Sequence, residues 1–62
     1  MDISKIATFR QNKKFSQEEL AEKSGVSRGI ISQLETGKAK EVKLGTLRKI
    51  AKALDVKVTE LL

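Results

Sequence analysis

The sequence contains no cysteine, histidine, proline, tryptophan or tyrosine. Without cysteine the chain forms no disulfide, and without cysteine and histidine it lacks the usual zinc ligands, a thiolate nucleophile and the commonest general base. Catalysis would therefore depend on paired carboxylates in a pocket, for which a helical chain of 62 residues has little room. We predict that the protein is not an enzyme and holds no metal or cofactor. The absence of cysteine also suits a reducing cytoplasm, where we expect the protein to act.

Long apolar stretches are missing as well. The sequence has no run of about 18 apolar residues, the length a membrane-spanning helix requires. Its N-terminal segment "MDISKIATFRQNKK" places its positive charge after its apolar residues, which is the reverse of a secretory signal. We expect one soluble, unprocessed domain over residues 1–62, near the lower size at which a hydrophobic core alone supports a fold.

Positive charge is abundant and unevenly placed. Lysine and arginine number 13 against 8 aspartate and glutamate residues, a formal net charge of +5. Such a balance favours polyanionic partners, with nucleic acid ahead of an anionic membrane surface, although a small protein is sometimes basic only for solubility. Placement separates these explanations, because cations dominate the later half of the chain at Lys38, Lys40, Lys43, Arg48, Lys49 and Lys52.

Composition and periodicity together predict an all-α fold. The chain has no proline, few aromatic residues and many good helix formers. Apolar residues recur at helical spacing over about residues 3–12, 17–23, 28–36 and 44–54. A short fifth helix is expected to include Val58, Leu61 and Leu62, and the segment "KAKEVKL" lacks helical periodicity and is predicted to be a loop.

Residues suited to begin or end a helix flank most of these segments. Ser16 and Glu19 have the spacing of a capping box, in which a hydroxyl and a carboxylate each accept a bond from a free backbone N–H group. The other expected boundary residues are Asp2 and Ser27 as N-caps and Gly25, Gly37 and Asp55 in the left-handed conformation that ends a helix.

The apolar faces of the later helices indicate the core. Ile30, Ile31 and Leu34 form the predicted apolar stripe of the third helix. The fourth helix has the clearest stripe, which comprises Leu44, Leu47, Ile50, Ala51 and Leu54. Because the core needs this stripe, we do not expect the basic fourth helix to bind a membrane.

Two helices joined by a tight turn containing Gly25 predict a helix-turn-helix motif. The third helix then presents Arg28, Gly29, Ser32 and Gln33 on its outward face. A helix of this kind fits the DNA major groove, where arginine pairs with guanine, glutamine pairs with adenine and serine bonds either. The alternative is an ordinary solvated helix face. Gly29 weakens the helix by about 1 kcal/mol relative to alanine, and we predict that it leaves room for the bases.

A second set of residues is expected to contact phosphates. Gln17 begins the second helix, whose free N–H groups and positive dipole end favour an anion. Lys38, Lys40 and Lys43 supply positive charge in the loop that follows the third helix. The alternatives are a plain exposed residue at Gln17 and a solvated loop at the lysines.

The segments "SQEELAEKSGVSRGIISQLETGK" and "TLRKIAKALDV" resemble the DNA-binding domains of the lambdoid phage repressor and Cro family. The resemblance covers nearly the whole chain and depends on several residues at fixed spacing: Gln17, Leu20, Ala21, Gly25, Val26, Ser27, Ile31, Leu34, Glu35 and Gly37. It implies a compact five-helix domain that binds a palindromic operator in double-stranded DNA as a homodimer and regulates transcription, as a repressor.

The resemblance also implies roles for individual residues. Base-reading positions are Ser27, Arg28, Gly29, Ser32 and Gln33, and phosphate-binding positions are Ser16, Gln17, Thr36, Lys38, Lys40 and Lys43. Arg10 of the first helix and Glu35 of the third are expected to form a partly buried ion pair. The C-terminal residues Val56, Val58 and Leu61 are the expected dimer contact.

A second hypothesis keeps the DNA-binding face but makes a protein the main partner. In this hypothesis the chain is an antitoxin-type module that binds a protein toxin. A toxin that co-purifies with the chain, or an exposed apolar patch away from the third helix, would favour it. We expect no small-molecule substrate under either hypothesis.

Overall fold

A computed structural model of the chain describes residues 5–39 and 41–61. Within these ranges all regular secondary structure is helical, which confirms the predicted class. The helices are α1 (Lys5–Asn12), α2 (Gln17–Ser24), α3 (Arg28–Thr36), α4 (Leu44–Leu54) and α5 (Val58–Leu61). The bounds of α3 and α4 agree with the prediction, whereas α2 extends to Ser24. Four residues with predicted roles lie outside the described residues. They are the predicted N-cap Asp2, the predicted helical residue Ile3, the predicted phosphate contact Lys40 and the predicted fifth-helix residue Leu62.

Short polar residues and one glycine set the bounds of α2. The Ser16 hydroxyl accepts a hydrogen bond from the Glu19 N–H at 3.0 Å, and the Glu19 carboxylate accepts one from the Ser16 N–H at 3.1 Å, so the capping box is confirmed. At the other end Gly25 has φ 74°, a left-handed conformation that costs glycine little. Its N–H donates to the Ala21 carbonyl at 2.9 Å. The chain therefore leaves α2 in a sharp turn towards α3.

The end of α4 shows that aspartate can serve in place of glycine. Asp55 has φ 58°, and its N–H donates to the Lys52 carbonyl at 3.1 Å. This left-handed C-terminal residue is the one the sequence predicted. The reversal directs the chain into α5, which packs against α4.

The core draws on all five helices. The largest fully buried side chains are Ile6, Leu20, Ile31, Leu34, Leu47, Ile50, Leu54 and Leu61. Helix α2 packs against α3 and α4, and α1 packs against the same two helices from another side. Helices α1 and α2 therefore pack against one side of α3, and its opposite face is exposed to solvent.

Two residues of the predicted apolar stripes are exposed rather than buried. Ile30 retains 43% and Leu44 retains 53% of the exposure of a free side chain. Ile30 adjoins Ile31, and consecutive helical residues point about 100° apart, so the side chain of Ile31 enters the core and that of Ile30 lies on the flank of α3. Leu44 is the first residue of α4, and side chains of a helix lean towards its N-terminus, so this one extends past the packed turns.

Candidate nucleic-acid interface

The turn between α2 and α3 is fixed by side-chain hydrogen bonds as well as by Gly25. Ser24 is buried, and its hydroxyl accepts a hydrogen bond from the Val26 N–H at 3.2 Å. Val26 is also buried, and its side chain joins the core. Sequence reasoning missed Ser24, although a serine in the last turn of a helix is well placed to bond nearby backbone groups. These contacts fix the direction in which α3 begins.

Ser27 caps α3. It has extended backbone angles, and its hydroxyl oxygen accepts a hydrogen bond from the Ile30 N–H at 3.2 Å. The N-cap that the sequence predicted is therefore present. A serine hydroxyl keeps its own hydrogen when it accepts, so Ser27 retains one donor that can point outward.

The first two turns of α3 carry the predicted base-reading residues on the face away from α1 and α2. Arg28, Gly29 and Gln33 are exposed, and Ser32 is half-buried. A methyl group added at the Cβ position of Gly29 would lie within 4 Å of no heavy atom beyond its chain neighbours and the backbone of its own helix. The fold therefore imposes no steric need for glycine at this position.

An ion pair ties α3 to α1. The Arg10 Nε donates to Glu35 Oε2 at 2.7 Å and the Arg10 Nη2 donates to Glu35 Oε1 at 3.0 Å, a two-pronged geometry. The two side chains are 14% and 6% exposed. The hydrogen bond to Glu35 raises the pKa of Arg10 above its ordinary value, burial opposes this effect, and the charge of Glu35 adds to it. A third guanidinium nitrogen of Arg10 donates to the Phe15 carbonyl at 2.8 Å.

Gln17 is the third member of this network. Its side-chain nitrogen donates to Glu35 Oε1 at 3.1 Å, a contact that the sequence did not reveal. An amide nitrogen carries two hydrogens, and this bond uses one of them. The network therefore positions Gln17, the first residue of α2, against the end of α3 while leaving a donor for an anion.

The remaining residues of the predicted phosphate set differ in what they offer. Ser16, Lys38 and Lys43 are exposed, and Lys40 lies outside the described residues. The Thr36 hydroxyl donates to the Ser32 carbonyl at 2.9 Å, so its hydrogen is already in use and cannot also reach a phosphate oxygen. Lys43 occupies the N-cap position of α4, but its side chain accepts no hydrogen bond from the helix. The first backbone N–H groups of α4 therefore receive no cap from this residue.

The predicted dimer residues are not equally accessible. Val56 and Val58 are half-buried and pack against the core. Leu61 is 0% exposed, because α5 turns this side chain towards the buried face of α4. The expectation that Leu61 forms a surface contact is therefore corrected: in this fold it belongs to the core of a single chain.

The face of α3 that carries Arg28, Gly29, Ser32 and Gln33 is called the reading face. A groove that the sequence did not predict borders it. It has a volume of about 310 Å³ and lies between α3, the following loop and the first turns of α4. Its walls are formed by the apolar residues Ile30, Leu34, Ala39 and Val42 and by the polar residues Gln33, Glu41, Lys43 and Thr46. One feature of the sequence could have indicated this groove. Ile30 directly precedes the core residue Ile31, and two adjacent helical residues cannot point in the same direction.

Membrane-spanning helices and metal sites are two further features on which residues 5–39 and 41–61 bear. No helix in these ranges has the length and apolar character needed to cross a membrane. In the same ranges no three or more His, Cys, Asp or Glu side chains are grouped as metal ligands. The tight turn between α2 and α3, followed by a helix that exposes Arg28, Gly29 and Gln33, defines a helix-turn-helix domain.

Comparison with known proteins agrees with this class. The sequence pattern of the helix-turn-helix family matches residues 6–61. The chain is 37% identical over 60 residues to the HTH-type transcriptional regulator YozG of Bacillus subtilis (strain 168), over 97% of this chain and 71% of YozG.

Solved structures give the same result. The structure of SinR, the master regulator for biofilm formation, in complex with DNA matches with a TM-score of 0.93 and 34% identity over 98% of this chain and 97% of that chain. A chain of the SinR protein/SinI protein complex matches with a TM-score of 0.94 and 35% identity over 100% of this chain and 60% of that one. The protein described here belongs to the helix-turn-helix family, and within it to the repressor and Cro type that its sequence resembles. This is a family of transcriptional regulators and not a class of enzymes.

Proposed function

We propose that this protein is a sequence-specific regulator of transcription, a repressor that binds a palindromic operator as a homodimer with α3 in the major groove. The observation that carries the proposal is the exposed first half of α3, which follows a turn fixed by hydrogen bonds. The end of the same helix is fixed by the Arg10, Glu35 and Gln17 network. The same fold is found in SinR, whose structure was solved in complex with DNA.

The exposed side chains suit base recognition. Arg28 can donate two hydrogen bonds to guanine O6 and N7, and Gln33 can pair with adenine N6 and N7, each pair discriminating by roughly 1 to 3 kcal/mol. Ser32 and the remaining hydroxyl hydrogen of Ser27 can bond either base. Gly29 keeps the backbone of α3 free of a side chain beside the bases.

Phosphate contacts are assigned to the borders of α3. The free hydrogen of the Gln17 amide lies at the start of α2, where the helix N-terminus favours an anion. Ser16 adds a hydroxyl, and Lys38, Lys40 and Lys43 add positive charge in the loop. Thr36 can join this set only if its hydroxyl turns away from the Ser32 carbonyl.

The dimer is assigned to the C-terminal residues with Val56 and Val58 as the accessible contacts. Two copies related by a two-fold axis would read half-sites about one helical turn apart, near 34 Å. Leu61 would support this surface from the core without touching the second copy.

The antitoxin hypothesis predicts an exposed apolar patch away from α3. Among the described residues the exposed large hydrophobic side chains are Ile30 and Leu44, and Ile30 belongs to α3 itself. Leu44 alone forms no patch, since a single exposed apolar residue is normal on a protein surface. The surface therefore favours DNA over a protein as the main partner.

Selection of bound sequences from random duplex DNA tests the proposal. We expect a palindromic consensus, and we expect Arg28→Ala to relax the preference at one base position of each half-site. Arg48→Ala is the matched control, because Arg48 is also an exposed arginine but belongs to α4 and does not line the groove beside α3. Failure of the wild-type chain to enrich any sequence would refute sequence-specific binding.

A further inference from the structure

We propose that Ile30 is a specificity-determining residue that contacts the 5-methyl group of a thymine in the operator, within two steps of the base pair read by Gln33. The proposal rests on the proposed function, because it needs α3 to lie in the major groove. It concerns a residue of the predicted apolar stripe of α3 that the structure leaves partly on the surface.

The fold does not account for the exposed part of Ile30. Ile31 and Leu34 supply the buried side of α3, with 0% and 1% exposure, while Ile30 retains 43%. A β-branched residue is also a poorer helix former than the long polar residues that usually occupy a helix surface. The apolar surface of Ile30 is therefore open to a partner.

The surroundings of Ile30 indicate which partner. Ile30 and Gln33 are one helical turn apart and line the same groove, whose other walls include Ala39 and Val42. Side chains at this spacing have Cβ atoms about 5–6 Å apart, a separation between one and two base-pair steps of about 3.4 Å each. A base edge one or two steps from the one read by Gln33 would therefore lie near Ile30.

Only one base offers Ile30 an apolar contact in the major groove. The 5-methyl group of thymine is the apolar group displayed there, whereas the other base edges present hydrogen-bond donors and acceptors. Lys43 and Glu41 also line the groove, so one cation is available to a phosphate beside the methyl group and one carboxylate lies on the same wall. The polar edge of a cytosine at the same place would lose its water against Ile30 without gaining a bond.

The test replaces thymine with deoxyuridine, which removes the methyl group and leaves the hydrogen-bonding edge unchanged. Each thymine of the selected consensus is replaced in turn, symmetrically in both half-sites, and the dissociation constant is measured for the wild type and Ile30→Ala. We expect one position at which the wild type loses about fourfold affinity per half-site, the effect of burying one methyl group. We expect Ile30→Ala to bind that operator and the thymine operator equally.

Leu44→Ala is the matched control, because Leu44 is the other large exposed aliphatic residue of the described chain. This variant should keep the wild-type loss at the same thymine. Thermal unfolding of all three proteins checks that each remains folded. If every deoxyuridine substitution affects the wild type and Ile30→Ala alike, Ile30 contacts no thymine methyl group while the proposed function stands. If the selection yields no consensus, the proposed function and this inference both fail.

Discussion

The guanidinium group of Arg10 on α1 binds both carboxylate oxygens of Glu35 on α3, at 2.7 and 3.0 Å. Gln17 on α2 donates to one of the same oxygens at 3.1 Å. One carboxylate therefore joins three helices behind the end of the helix that is proposed to read DNA. Its removal would affect the orientation of α3 as well as the stability of the fold.

We predict that Glu35→Ala lowers the free energy of unfolding by about 3 kcal/mol or more, because it leaves a largely buried arginine unpaired. Arg10→Lys should cost less, since lysine keeps the charge but cannot form the two-pronged contact. Urea unfolding followed by circular dichroism measures both. Glu22→Ala, a change at an exposed glutamate of α2, is the control and should stay within about 0.5 kcal/mol of the wild type. Equal losses in Glu35→Ala and Glu22→Ala would refute the assigned role.

The pH dependence of stability follows from Arg10 and from the absence of histidine. Glu35 raises the pKa of Arg10, so the folded state holds this proton more tightly than the unfolded chain does. The stabilising contribution is complete below the ordinary pKa of arginine and is lost only as the pH rises through the raised value, in strong alkali. The chain contains no histidine, so we expect a constant free energy of unfolding between about pH 5.5 and pH 7. Urea titrations across this range measure it, and a clear slope would show that another group titrates on unfolding.

Gly29 and Gly45 form a matched pair, since each is the second residue of its helix and has no heavy atom within 4 Å of a would-be Cβ. Alanine at either position should raise the free energy of unfolding by about 0.5 to 1 kcal/mol, because it restricts the unfolded chain and favours the helix. Only Gly29→Ala should also weaken or redirect DNA binding. Thermal unfolding and DNA titration of both variants separate the two effects. If Gly29→Ala binds the selected operator as the wild type does, Gly29 is not a reading residue.

Lys43 and Lys49 test the phosphate assignment, because both are exposed and only Lys43 borders the reading face. Each phosphate that is neutralised adds about 0.9 to the slope of log K against log salt. We expect Lys43→Ala to reduce that slope by about one such step and to weaken binding to all sequences alike. Lys49→Ala should leave the slope unchanged. A wild-type affinity that is insensitive to salt would contradict the electrostatic interface altogether.

Leu61 separates a core contact from a dimer contact. Truncation of a fully buried leucine costs about 2–5 kcal/mol, so Leu61→Ala should unfold at a much lower urea concentration than the wild type. This loss should be the same at low and high protein concentration, since it arises within one chain. A loss that grows with protein concentration would instead place Leu61 between two chains.

The bounds of α3 and α4 were predictable because local chemistry sets them. Ser27 supplies the cap of α3, Gly37 ends that helix, and Asp55 ends α4, all within a few residues of the backbone groups they satisfy. Such interactions depend on neighbours in the sequence, so residue type and spacing suffice to predict them. The pairing of Arg10 with Glu35 came from the family resemblance, not from local chemistry.

The exposure of individual apolar residues was not predictable in the same way. Periodicity identifies an apolar stripe, but it does not tell which turns of that stripe another helix covers. Ile30 and Leu44 therefore appeared equivalent to Ile31 and Leu47, and Leu61 appeared available at the surface. The contact of Gln17 with Glu35 joins residues 18 positions apart, and no local pattern predicts it.

The sequence by itself determined the all-helical class, the ends of the two later long helices and the helix-turn-helix, because capping, turn chemistry and periodicity act over a few residues. The family followed from the resemblance of residues at fixed spacing to known DNA-binding domains. Only the tertiary structure showed that Gln17 binds the carboxylate of Glu35 and that the Thr36 hydroxyl donates within α3. It also showed that Leu61 belongs to the core and that Ile30 is exposed near Gln33. Each of these depends on how helices distant in sequence cover one another, or on the rotamer that the packed chain selects, and neither is encoded in spacing.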